Sequence, residues 1–503
     1  MAEVVAGGHR RGVVAGGHPR TVEAAVQVLA AGGNAFDAAV AAGFAAAVAE
    51  PCLSSLAGGG FLLAQPAGAD PVLYDFFVDT PGRGLPSVVD PALVPVTIRF
   101  PGADQVFHVG EASVAVPGCL AGYLHVHAAR GRLPLAEVVA PARHLARAGV
   151  ELGADQASIV RLLEPIFART AEARAMFAPP GRRFADDEVV RNPQLADLLA
   201  AIASGEVTGF GDPELAPVLA AANQAGGGVL TAEDLTGYRV VERTPLLLRH
   251  AGADVLTNPV PSFGGTLIAR GLALLAEEGP AGAPASLERL EQLARVLADV
   301  TAEHVGVGVH LTEPAPPRPR ASKGTTHVSV ADADGNLAAM TTSNGTGSGI
   351  TLGDTGVLAN NIMGEADLHP AGFHRAPAGM RVGSMMAPSI VRRPDAPTLV
   401  LGSGGSERIR SALTQVLVGV LDDRLPLAEA ILAPRIHWDG TALQVEPGFD
   451  AQVLDALETR WPINRWTVQD LYFGGVHAVS TDGAGVGDPR RGGCVATVEA
   501  RRS

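Results

Sequence analysis

The sequence predicts one integrated body of mixed helices and strands rather than a string of separable domains. Three observations carry this. Helical patterns cluster near the N-terminus and again over 133–219, whereas strand-like stretches recur at 61–63, 72–77, 238–256 and 326–342. No internal repeat or long low-complexity tract divides the chain. The clearest break is a short proline-rich run, Glu313 to Ser322, with four prolines in ten residues, a composition that fits neither helix interior nor central strand.

Taken in order, Pro19 opens a helical pattern through Leu29 that Gly32-Gly33 stops. Asp37 to Ala49 reads as a helix of small residues, open to close approach on all sides and ended by Glu50-Pro51. From Gly58 the chain turns strand-like, with Phe61-Leu62-Leu63 and Val72 to Phe77. The helical stretch from Leu133 to Leu219 is interrupted around Pro179 to Arg191. Strand signals return between Tyr238 and Leu256. Farther on, Val328 and Val330 alternate with polar neighbours, Asp334-Gly335-Asn336 is hairpin-turn chemistry, and Leu337 to Thr342 can return as a second strand. Thr398 to Leu401 is strand-like and leads through Gly402 to Ser406 into a helix starting near Arg408.

Composition bounds the function. The chain has 503 residues, 47% of them hydrophobic, ample for a large core. A net charge of −14 argues against nucleic acid and anionic membrane as partners. Cys52, Cys119 and Cys494 are odd in number and scattered, with no C-x-x-C, so they read as buried small hydrophobes rather than a disulfide framework or zinc site. No metal or cofactor is expected. Met1 to His18 lacks an apolar signal region, and the longest apolar run, Ala38 to Ala49, is shorter than the ~20 residues that span a bilayer. A cytoplasmic protein is the expectation.

The chemistry begins at Gly324-Thr325-Thr326-His327, where a threonine preceded by glycine opens the hairpin. Other blocks stand around it: Gly32 to Val40, Gly58 to Leu62, Gly227 to Leu235 with Tyr238, Pro261 to Gly265, Asn360-Asn361, Ser384 to Pro388 and Gly402 to Ser406. In this order and spacing they resemble the γ-glutamyltransferase family almost end to end. The resemblance implies an α+β fold, the four-layer αββα sandwich of the N-terminal nucleophile hydrolases. It also implies self-cleavage into 1–324 and 325–503, the two pieces remaining partners, with Thr325 as nucleophile.

A threonine hydroxyl needs a base close by. An N-terminal Thr325 supplies its own α-amine, whose ordinary pKa of about 8 suits the task. Before cleavage the same hydroxyl attacks the Gly324 carbonyl, and glycine there tolerates a strained backbone. Successive N–H groups in the loop from Gly402 to Ser406 form an anion-binding nest at a helix N-terminus, and no phosphate-loop motif is present. By resemblance Gly404 and Gly405 form the oxyanion hole, Ser343 hydrogen-bonds the nucleophile, Asn344 binds substrate, Ser384 contacts the substrate carboxylate, and Glu365 receives its ammonium group.

Departures from the family pattern bear on the substrate. Phe77 stands where relatives carry the arginine that clamps an α-carboxylate, Ile362 replaces a glutamine, and Gly383 replaces a second serine. Losing a bidentate arginine removes a geometrically selective contact. Arg83, Arg381 and Arg408 are candidates to replace it. The leading expectation is a hydrolase or transferase of small γ-glutamyl-type amides. A second is a relative acting as an acylase or C–C bond hydrolase on another donor, and a third is an uncleaved binding protein.

Overall fold

The computed structural model describes residues 3–5, 10–86, 91–100, 103–308, 324–369 and 371–499. The proline-rich run of 313–322 lies outside them. Fourteen strands make the two main sheets. In chain order they are β1 (Glu3–Val5), β2 (Arg10–Gly16), β3 (Gly59–Gln65), β4 (Val72–Phe76), β5 (Val241–Arg243), β6 (Leu246–His250), β7 (Ala253–Thr257), β8 (Thr326–Asp332), β9 (Leu337–Ser343), β10 (Ser389–Arg393), β11 (Ala396–Gly404), β12 (Gly475–Ser480), β13 (Gly485–Gly487) and β14 (Cys494–Glu499). The first sheet runs β14-β2-β8-β9-β3-β4-β5 and the second β1-β13-β12-β11-β10-β7-β6. Neighbouring strands are antiparallel throughout.

Alternation along the strands creates the layers. Val14, Leu62, Ala64, Val328, Val330, Ala338 and Met340 pack in one cluster with the N-terminal helices α1 (Pro19–Ala31) and α2 (Ala35–Ala49). Their neighbours Val13, Ala15, Phe61, Leu63, Leu337 and Ala339 face the second sheet and join Val400, Leu401, Ala478 and Val479. That cluster continues into α3 (Phe263–Glu278), α4 (Leu287–Gly308) and α5 (Arg408–Leu421) through Ile268, Leu272, Leu297, Ile409 and Leu413. The order helix, sheet, sheet, helix is the four-layer αββα sandwich.

Helix α2 shows why small residues matter. Every residue of it except Ala47 is buried, and a Cβ on Gly43 would lie 2.6 Å from the Tyr123 ring. It starts two residues before the predicted Asp37, because Asn34 is the N-cap and Asp37 closes a capping box onto it. The β8–β9 hairpin forms as expected, with Thr326 opposite Thr342 and Gly335 at φ 89°. By contrast the strand leading to the glycine loop runs on to Gly404, paired with Gly475, so only 405–407 turn before α5. The hairpin of Val94–Phe100 and Ala103–Val109 is not among the expected strands. All three cysteines are free and buried. Among the described residues no helix is long and apolar enough to cross a membrane.

Candidate active site

The registers β8–β9–β3 carry one row of residues across the first sheet at its end. Thr326 pairs with Thr342 and Ser343 with Gly59, so Thr325, Ser343 and Gly59 follow one another on the face toward the second sheet. Phe77 continues the row, because a Cβ on Gly59 would lie 2.8 Å from its ring. Thr325 and Ser343 are both buried. Thr325 Oγ1 donates to the Gly324 carbonyl at 2.8 Å and lies 3.4 Å from Ser343 Oγ. Ser343 Oγ donates to the same carbonyl at 2.5 Å and accepts the Gly345 N–H at 3.1 Å. Two hydroxyls thus converge on the carbonyl that precedes the threonine.

Glycine at 324 is required for a reason the sequence does not state. A Cβ there would lie 2.1 Å from the Gly345 carbonyl and 2.2 Å from that of Cys52. Crowding by backbone, rather than an unusual φ, excludes other residues. Thr326 faces the opposite way, toward α2, as alternation demands. Beside it sits the buried Glu50, whose carboxyl accepts Thr21 Oγ1 at 2.6 Å. Burial raises the Glu50 pKa, opposed by hydrogen bonds from Thr21 and Thr326 and by the Arg491 charge.

The second sheet delivers the glycine loop against the same residue. A Cβ on Gly404 would lie 2.4 Å from the Thr325 carbonyl oxygen, and Gly405 turns through φ 126°. Arg491, which carried no expectation, donates through Nη1 to that carbonyl at 3.3 Å. Burial, with the Arg408 charge next, lowers its pKa to about 9, against the opposing carboxylates of Asp470, Asp488 and Glu50. Its one sequence signal is a twin arginine in the Gly- and Pro-rich stretch Asp488 to Gly493. His327, behind Thr325, bonds Thr341 Oγ1 at 2.7 Å and Ser329 Oγ at 2.9 Å, and burial pushes its pKa far down. It is a neutral core histidine.

Among the predicted substrate residues, Asn344 follows Ser343 directly. Its side chain is fully buried, and among the described residues neither its Oδ1 nor its Nδ2 has a hydrogen-bond partner, a costly state for a structural asparagine. Glu365 closes on the same turn: a Cβ on Gly345 would lie 2.8 Å from Glu365 Oε1 and 2.1 Å from Asn361 Oδ1. Ser384 is different. Its hydroxyl accepts the Met386 N–H at 3.1 Å and its carbonyl accepts Phe263 N–H at 2.7 Å, so its hydrogen bonds hold a backbone turn rather than reach Thr325, Ser343 or Asn344. A serine at 383 would require the Phe263 ring to move, since a Cβ there meets it at 2.4 Å.

The carboxylate-clamp question also has a geometric answer. Phe77 is 1% exposed and stacks on Phe61 with ring centroids 5.8 Å apart. Arg381 is held by Asp75 at 3.0 Å, Asp79 at 2.8 Å, the Phe77 carbonyl at 2.6 Å and the Tyr238 hydroxyl at 2.9 Å. Burial works against its charge, but Tyr238, Asp75 and Asp79 outweigh it and bind the proton more tightly than usual. Arg408 lies 4.8 Å from the Tyr472 ring centroid and donates to the Tyr472 carbonyl at 3.1 Å. Arg83 sits 4.0 Å from Asp79 and is partly exposed. Two of the three candidate replacements are therefore committed to the protein itself. Among the described residues no group of three or more His, Cys, Asp or Glu is placed to hold a metal.

The family model described as Gamma-glutamyltranspeptidase matches residues 21–298 and 285–498. The chain is 31% identical over 484 residues to the acylase ACY 1 proenzyme of Pseudomonas sp. (strain V22), covering 90% of this chain and 86% of that one. It is 30% identical over 501 residues to the glutathione hydrolase proenzyme of Escherichia coli (strain K12), covering 90% and 85%. Cephalosporin acylase from Bacillus halodurans shares the fold, with a TM-score of 0.83 at 23% identity over 100% of this chain and 97% of that one. With two helical layers enclosing two antiparallel sheets and this match along its length, the chain belongs to the γ-glutamyltranspeptidase family of hydrolase and transferase enzymes.

Proposed function

We propose that the protein is an N-terminal-threonine hydrolase or acyltransferase that cuts its own chain between Gly324 and Thr325. The observation that carries this is the convergence of Thr325 Oγ1 at 2.8 Å and Ser343 Oγ at 2.5 Å on the Gly324 carbonyl oxygen. Thr325 Oγ attacks the carbonyl carbon while the Ser343 hydroxyl stabilises the charge that builds on its oxygen. The peptide becomes an ester, water opens it, and the Thr325 α-amine is released. In the mature enzyme that amine takes the hydroxyl proton as Thr325 Oγ attacks the acyl donor, then passes it to the leaving amine. Gly404 and Gly405 supply oxyanion donors, and Asn344 with its unpaired amide and Glu365 with its carboxylate meet the donor's polar groups. The acyl-Thr325 ester is finally resolved by water or an acceptor amine. Relatives whose names carry the word proenzyme support maturation by cleavage.

The donor is an amide of a small amino-acid-like acyl group, γ-glutamyl in the leading reading, in keeping with the glutathione hydrolase relative. Phe77 and the committed Arg381 favour a second reading, an acylase whose donor lacks an α-carboxylate, in keeping with the acylase relative. Mass spectrometry of the purified protein tests the first step. Two fragments are expected, the smaller beginning at Thr325, with a single inactive chain for Thr325→Ala. Thr326→Ala, altering the face toward Glu50, should still process. A wild-type chain that stays whole refutes the mechanism. A panel of γ-glutamyl anilide against anilides without an α-carboxylate, read as kcat/KM, separates the two donors.

A further inference from the structure

Beyond that chemistry, one buried cation touches the nucleophilic residue without reaching the bond it cuts. Arg491 donates to the Thr325 carbonyl at 3.3 Å. Its guanidinium also underlies the glycine loop: a Cβ on Gly404 would lie 3.3 Å from Nη1 and one on Gly405 3.2 Å from Nη2. Gly475 is equally constrained, since a Cβ there would lie 2.7 Å from Arg491 Cβ. Three glycines on two strands and a turn therefore make room for this one side chain, which lies against both the threonine and its loop.

We propose that Arg491 is a positioning residue of the mature enzyme, fixing the Thr325 carbonyl and, through its charge, disfavouring protonation of the adjacent α-amine. This rests on the threonine reading above. Carbonyl oxygen and amine nitrogen belong to the same residue, so the 3.3 Å contact puts the guanidinium nitrogen within about 6 to 7 Å of the amine. At that distance one unit charge displaces a neighbour's titration by about 0.5 to 2 pH units across effective dielectrics of about 80 to 20. Other charged groups around Arg491 are Glu50 at the end of α2, Arg408 at the start of α5, and Asp470 and Asp488. His477, packed against the same region, is held neutral near pH 7 because burial lowers its pKa to about 4. Arg408 carries the same charge as Arg491, whereas the carboxylates of Asp470, Asp488 and Glu50 oppose it, the last with its pKa raised by burial. Glu365, beside the Gly345 turn that packs against Gly324, opposes the shift. With the guanidinium held on the Thr325 carbonyl the proposed sign is downward, leaving the amine a free base at a pH where an ordinary N-terminus is half protonated.

The sequence provides a direct readout. Its single lysine is Lys323, so the fragment 325–503 holds one primary amine, that of Thr325. The rate of carbamylation by cyanate, followed as the mass of that fragment's N-terminal peptide across pH so that Cys494 does not contribute, titrates this amine and needs no knowledge of the substrate. The expected wild-type midpoint lies below the ordinary α-amine range of about 7.7–8.0. Processed Arg491→Gln should titrate about 0.5 to 2 units higher, with kcat lost on the acidic side of the profile. A wild-type midpoint at or above about 8 overturns the proposal even if the variant fails to fold. Equal midpoints in wild type and variant overturn it as well. A fragment that does not begin at Thr325 refutes the threonine reading itself and is seen in the same spectrum.

Discussion

Gly324 concentrates the local physics of the site. Its missing Cβ leaves space for the Gly345 and Cys52 carbonyls, which approach that position to 2.1 and 2.2 Å. Gly324→Ala must push the Gly324 carbonyl, the proposed point of cleavage, away from Thr325 and Ser343. Misplacement on the 1 Å scale costs roughly 10²-fold in such reactions. Cleavage of Gly324→Ala, followed as appearance of the small fragment, should slow by about that factor. Cleavage at the wild-type rate would show that the backbone contacts do not position the bond. The sequence marked this glycine for conformational freedom; the reason is contact with residues 21 and 272 positions away in neither pattern nor motif. Arg491 escaped notice for the same cause, because its partner carbonyl is 166 residues distant.

Element by element, what was legible is what local chemistry determines. The β8–β9 hairpin follows from Asp334-Gly335-Asn336 and alternating valines, and α2 from small residues between Asn34 and Pro51. The 94–109 hairpin was not legible, although Val94, Val96, Ile98 and Phe100 alternate. Pro95 sits inside the first strand, and the second, Ala103 to Val109, breaks the alternation with adjacent Val106 and Phe107. Phe77 needed the fold. Its motif position is that of the arginine that clamps a carboxylate in relatives, whereas its ring stacks on Phe61 and covers Gly59. A guanidinium in that layer lacks a carboxylate partner, since Asp75 and Asp79 already hold Arg381, and an unpaired buried charge is strongly destabilising. Phe77→Arg should therefore lower the unfolding midpoint and give no gain in kcat/KM for a γ-glutamyl anilide. A gain of ten-fold or more with unchanged stability would restore the clamp interpretation.

For the molecule as a whole, the sandwich interleaves the two proposed pieces, β8 and β9 lying between β2 and β3. This was accessible only through resemblance, since strand order depends on contacts that periodicity does not encode. Three buried histidines must stay neutral. Burial lowers His18 and His477 to about 4 each and pushes His327 well down. A histidine with a lowered folded pKa binds fewer protons than the unfolded chain between the two values. Its contribution is therefore full above about pH 6.5 and lost as pH falls toward 4. For His18 and His477 this is on the order of 3 kcal/mol each over that window. The urea midpoint should fall steadily from pH 6.5 to 4.5, and a flat midpoint there would mean that these histidines are not buried neutral.

The central claim is that Thr325 Oγ carries the acyl group. Mature enzyme turning over a slow anilide donor can be quenched in acid, which preserves the ester, and the small fragment mapped by mass spectrometry. The acyl mass is expected on the N-terminal Thr325 and on no other residue of that fragment. An acyl group on Ser343, or steady turnover with no adduct detectable under single-turnover conditions, would contradict the claim.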